Sequence, residues 1–168
     1  MKLQARTEKI VIAIAAGLVV LLVAFIGTLT VLVTSAEPRP ITVTAYADGT
    51  TTLVEPALHC SLYLEDCTEG PATVIDARPG QPLQLSLPKE ISGAPWRLIS
   101  VYGYTEADAS VIFEPFRSGD ASAVTVPAVV DDAPLVGVEI QLPSAVVDDE
   151  GVPLAHATWA IEVISQQG

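Results

Sequence analysis

Asparagine is missing from this chain altogether, and four other residue types are scarce: three Lys, one Met, two His and two Cys among 168 residues. Without Asn there is no N-glycosylation acceptor. With Met1 as the sole thioether, the soft ligands a copper carrier needs are not there. Aromatic residues make up 5% of the chain, too few to build a stacking platform for carbohydrate. Neither a Gly-x-Ser-x-Gly elbow nor a His-Glu-x-x-His pair occurs, which removes two common hydrolase signatures. Basic charge is short as well. After residue 34 the chain holds five Lys/Arg against nineteen Asp/Glu, a net −14. A surface this negative repels nucleic acid and anionic headgroups, so no DNA or RNA partner is expected.

What the chain has in abundance is an apolar run from Ile10 to Thr34, preceded by Lys2, Arg6 and Lys9 and free of charge until Glu37. A helix of about 25 residues spans roughly 37 Å, more than the hydrocarbon core requires. One isolated spanning segment must be helical, because only a helix satisfies its own backbone in lipid. Its polar side chains, Thr28, Thr30 and Thr34, can bond back to helix carbonyls. The excess of Lys/Arg before the run puts the N-terminus in the cytoplasm and the remainder outside. A cleaved signal peptide is the rival, with Thr34-Ser35-Ala36 as a small-residue cleavage site, although its apolar region is usually 7–15 residues. We read an uncleaved anchor. The expected organisation is a cytoplasmic flank over residues 1–9, a transmembrane helix over 10–34, a Pro-stiffened linker over 35–40 and an extracytoplasmic domain over 41–168.

Outside the cytoplasm, Cys60 and Cys67 read as a disulfide. Closing eight residues stabilises by about 2.5 kcal/mol in the chain-entropy model. Structural zinc uses closer Cys pairs, so the neighbouring His59 and distant His156 do not turn this into a metal site. We assign His59 to packing against the cystine and His156 to a strand start. Asp131-Asp132 and Asp148-Asp149-Glu150 are the densest acidic clusters. They read as solvated turns, with calcium as the alternative. No cofactor and no metal is expected.

From Ile41 onward, Pro and Gly recur about every ten residues, and apolar–polar alternation is frequent. Ile41–Tyr46 and Thr50–Val54 flank an Asp48-Gly49 hairpin turn. Further strands are expected at 58–64, 72–77, 82–87, 96–104, 110–114, 123–126, 136–142 and 159–163, with one helical turn near 88–92. Half-polar strands with short links indicate antiparallel sheets with one wet face. The expected fold is all-β, a two-sheet antiparallel sandwich of immunoglobulin-like type, with a small barrel as the alternative. Trp96 and Trp159 are expected in its core, while Tyr46, Tyr63, Tyr102 and Tyr104 could line a binding face.

The order of these features resembles a known family. An N-terminal anchor is followed by Tyr46-Ala-Asp-Gly49, the Cys60/Cys67 pair, Pro82-Leu-Gln-Leu-Ser-Leu-Pro88, Ala94-Pro95-Trp96 and Thr158-Trp-Ala-Ile-Glu-Val163. In this it is similar to the actinobacterial envelope proteins grouped as domain of unknown function twenty-seven seventy-one. The resemblance implies an anchored extracytoplasmic domain. It assigns no activity, so there are no functional residues to carry over. Three function classes follow. The first is a non-enzymatic interaction or scaffolding module that binds another envelope protein. The second is a module holding a small or lipidic ligand between its sheets, along the Leu83 and Val138 faces. The third is an envelope hydrolase or metal enzyme, which needs His59 or His156 beside a carboxylate. We favour the first.

Overall fold

The computed structural model describes residues 2–35, 40–105 and 107–165, and the chain divides after Arg39 into two units. The first is a helix, α1 (Lys2–Thr34). Within it, Ile14–Thr34 is long and apolar enough to cross a membrane, and its side chains are exposed within the unit. The three threonines behave as expected. Thr28, Thr30 and Thr34 each donate a 2.8 Å hydrogen bond to the carbonyl four residues earlier, which removes their polarity from the helix surface.

In the second unit the period-2 patterns become strands. Asp48 and Gly49 both have positive φ, as a type I′ turn requires, so β1 (Val43–Ala47) folds back onto β2 (Thr50–Val54). Short strands β3 (Leu58–His59) and β4 (Thr68–Glu69) bracket the cysteine loop, followed by β5 (Thr73–Ala77) and β6 (Leu83–Ser86). The expected helical turn is α2 (Lys89–Ser92), entered through Pro88. Then come β7 (Trp96–Tyr102), β8 (Ser110–Phe116), β9 (Ala123–Val126), β10 (Val129–Val130), β11 (Ala133–Val147) and β12 (Pro153–Ser165).

One sheet has the order β2-β1-β6-β9. The other runs β4-β3-β12-β11-β7-β8, with β10 on β11 and β5 on β12. Both are antiparallel except for the parallel β5–β12 pair, a departure from the fully antiparallel expectation. The last two strands are far longer than the alternation at 136–142 and 159–163 suggests. Pro143 interrupts the period, and the structure accommodates it at a register shift between Leu142 and Pro143. Apolar faces of the two sheets form one core. Val43, Ala45, Leu83, Leu85 and Val126 come from the first sheet, and Trp96, Leu98, Tyr102, Ile140, Trp159 and Ile161 from the second. Trp159 and Trp96 are fully buried, at 0% and 1% exposure.

Candidate functional site

The cysteines come first, because they are the best-defined chemistry in the chain. Cys60 follows β3 and Cys67 precedes β4, and they form a disulfide with Cα atoms 4.0 Å apart. Inside the loop, Ser61 N–H donates to Glu65 O at 2.8 Å, and Ser61 Oγ accepts from Glu65 N–H at 3.0 Å. Ala145 N–H of β11 donates to Leu62 O at 3.0 Å. The loop is thus held against the sheet, with Leu62 and Tyr63 exposed. His59, expected against the cystine, is exposed. It sits in a two-residue strand with its side chain in water. His156 lies inside β12 rather than at its start, with Nδ1 3.4 Å from Cys60 O. Among the described residues, no three His, Cys, Asp or Glu side chains converge.

The acidic clusters are turns. Asp148 Oδ1 accepts the N–H groups of Glu150 (3.0 Å) and Val152 (2.8 Å), and Gly151 takes positive φ to close the β11–β12 connection. Asp131 and Asp132 both occupy positive φ between β10 and β11, where Val130 faces Ala133. Asp108 is placed by a similar local contact. The Thr105 hydroxyl (2.5 Å) and backbone N–H (2.6 Å) hold its carboxyl below the ordinary range. Ser86-Leu-Pro-Lys89 carries a Ser-x-x-Lys spacing. Both side chains are exposed on the surface.

Two surfaces remain. A hollow of about 250 Å³ opens at one end of the sandwich, lined among others by Ala77, Leu83, Val129, Leu135 and Val163. Arg78, whose Nε lies 3.0 Å from Asp48 Oδ2, and Tyr104, whose hydroxyl donates to Asp132 O at 2.9 Å, stand at its rim. Leu83 lines it as expected, but Val138 is in the core instead. Tyr102 is also core. Its hydroxyl donates to Pro127 O at 3.1 Å, and burial raises its pKa above the usual 10.

The other surface is the outer face of the larger sheet. Trp96, Leu98, Ser100 and Tyr102 of β7 point inward, so Arg97, Ile99 and Val101 point out. In register with them on β8 are Pro115, Phe113 and Val111. Phe113 is 63% exposed and Val111 48%, whereas Ile99 between its neighbours is only 9% exposed. On β11 and β12 the same face carries Gly137 opposite Glu162, Glu139 opposite Ala160 and Gln141 opposite Thr158. Arg97 Nη2 donates to Gln141 Oε1 (2.8 Å) and to Pro153 O (3.1 Å), and Gln141 Nε2 donates to Glu139 Oε1 (3.0 Å). The face is therefore apolar on its β7–β8 half and polar to acidic on its β11–β12 half. Sequence alone did not single this patch out. Val111-Ile112-Phe113 is apolar at both parities, and only the register of β8 with β7 shows which side is wet.

The family model described as Protein of unknown function (DUF2771) matches residues 36–164, almost the whole β unit. The chain belongs to that family. Relatives include uncharacterised proteins of Mycobacterium bovis and of two strains of Mycobacterium tuberculosis. Each is 36% identical over 138 residues, covering 79% of this chain and 83% of the relative. No solved structure matches the chain. The matched span contains the cystine, both tryptophans and the outer face of the larger sheet.

Proposed function

We propose that this family member is a single-pass, membrane-anchored, extracytoplasmic module of the bacterial cell envelope that works by binding another envelope protein and not by catalysis. The observation that carries the reading is the exposed apolar patch of Val111 and Phe113 beside Ile99 and Val101. Large exposed apolar groups in registered neighbours are the usual mark of an interaction surface. The span Ile14–Thr34 supports an anchor, and the Cys60–Cys67 bridge supports an oxidising compartment. The Lys/Arg bias supports a cytoplasmic N-terminus. Strand order supports the immunoglobulin-like reading. β6 pairs with β9 in one sheet, and β8-β7-β11-β12 are consecutive in the other, as strands B–E and C′-C-F-G are in such domains.

The test is site-specific photocrosslinking in intact cells, with the photoreactive residue at position 111 or 113 and a control at Thr51, which is exposed on the other sheet. A discrete protein adduct from 111 and 113 and none from 51 is the expected result. Equal labelling at all three positions, or none, overturns the reading. N-terminal sequencing of the membrane-extracted protein should recover Met1 or Lys2, and a start near Glu37 would replace the anchor with a signal peptide.

The 250 Å³ hollow favours a second reading, ligand binding between the sheets. A cavity of about 150 Å³ already holds benzene, while drug-sized sites begin near 300 Å³, so this one suits a small apolar group. Native mass spectrometry of protein extracted from its own membranes would show a stoichiometric mass increment if it is occupied.

A further inference from the structure

We propose that the free edge of β8 accepts an extended segment of the partner protein as an added strand, with apolar residues continuing the Val111–Phe113 row and Lys or Arg opposite Glu114. This rests on the interaction reading above and specifies its chemistry.

Among the described residues β8 pairs only with β7, so its other side presents a row of backbone donors and acceptors. Among the described residues it is, at seven, longer than every other strand with a single partner: β2 and β5 have five, β9 four, and β4 and β10 two. Edge strands are normally blunted by Lys, Pro, a bulge or shortness. Here β8 carries no Lys, its register with β7 is unbroken, and its two protecting residues, the inward-side charge Glu114 opposite Leu98 and Pro115, both lie near the C-terminal end. The Ser110–Phe113 stretch has no such protection. A strand added there gains affinity from main-chain hydrogen bonds and specificity from alternate side chains.

Charge selects the occupant. Glu114 is exposed on β8, Glu139 and Glu162 lie on the outer face, and Arg97 on that face is already engaged by Gln141 and Pro153. With a net −14 after residue 34, the domain repels a second copy of itself and an anionic bilayer surface, and it attracts a basic chain. A cation directly opposite Glu114 completes a favourable cross-strand pair.

The experiment uses the full-length chain in phosphatidylcholine nanodiscs and a seven-residue peptide alternating valine and lysine as the probe. Hydrogen exchange of amides 110–116 should slow by about tenfold or more on adding the peptide. Phe113→Lys, which installs the missing edge charge on an exposed position, should abolish that protection. Glu114→Gln should weaken binding about threefold. The same peptide N-methylated at two adjacent central residues should give no protection. Equal binding of the N-methylated peptide, protection outside β8, or no protection at all overturns the proposal. Protection of β8 without peptide, together with a dimeric mass, assigns the edge to a second copy and overturns it too. If the crosslinks from 111 and 113 persist while the peptide fails, strand addition falls and the interaction reading stands.

Discussion

The two faces of the larger sheet are built from the same strands, yet they live in different solvents. On the inner face Trp96, Leu98, Tyr102, Val138, Ile140, Trp159 and Ile161 are all buried against the four-stranded sheet. On the outer face Val111 and Phe113, no more polar, stand in water beside a hydrogen-bonded Arg97–Gln141–Glu139 row. Residues that hold the fold together are those the opposing sheet covers, and equally apolar residues on the other side are left exposed, where we propose a partner binds.

Mutation should break the comparison asymmetrically. The largest effect belongs to Trp159→Ala, which empties a fully buried site and removes the 2.7 Å bond from Trp159 Nε1 to Ile41 O. We expect a loss of about 3–5 kcal/mol in chemical denaturation. Trp96→Phe should cost less than Trp159→Phe. Among the described residues Trp96 Nε1 is buried without a partner, so Phe relieves an unsatisfied donor while keeping the stack on Phe116 at 4.0 Å. If both Phe variants cost the same, the inner-face account of Trp96 is wrong.

Next comes the staple outside the core. Replacing Cys60 and Cys67 together by Ser should cost about 2–3 kcal/mol and leave the far-ultraviolet circular dichroism unchanged. Thiol alkylation of denatured, non-reduced protein should find no free Cys. On the outer face, Phe113→Ser should change stability by less than about 0.5 kcal/mol while abolishing the crosslink from position 111. A stability loss comparable to that of the tryptophans would mean the outer face is part of the core. Smallest is the pH effect of Asp108. Its carboxyl is held below the ordinary carboxylate range, so it adds stability above that range and loses it as pH falls through its folded-state value. Thermal melts of Asp108→Asn should therefore lie below those of the parent at neutral pH and converge with them in acid.

Much of this was legible in advance, and for identifiable reasons. Thr50–Val54 and Ala123–Val126 appear with their expected ends, because Asp-Gly and Pro punctuate them sharply. The cystine is the expected pairing for two lone cysteines that follow a membrane-length apolar run. Other features depend on tertiary placement. A period of two fixes which residues share a face but carries no strand direction, so the parallel β5–β12 pair was invisible. The flanks of β11 and β12 are strand because they pair with each other, not because Pro143 or Ala155 favours it. The exposure of His59 and the wet side of Val111-Ile112-Phe113 depend on which strands end up short or at an edge.

The hydrogen bond from Trp159 to Ile41 also bears on mechanics. The chain enters the sandwich at Ile41, whose carbonyl is gripped by Trp159 of the last strand, and then becomes β1, which is bonded on both sides by β2 and β6. Tension arriving along the polypeptide from the direction of residue 40 therefore meets an interior strand loaded lengthwise. Several ladder bonds must rupture together, whereas a strand peeled from an edge gives way one bond at a time. A pull applied at residue 40 would therefore meet the sandwich at one of its most resistant points.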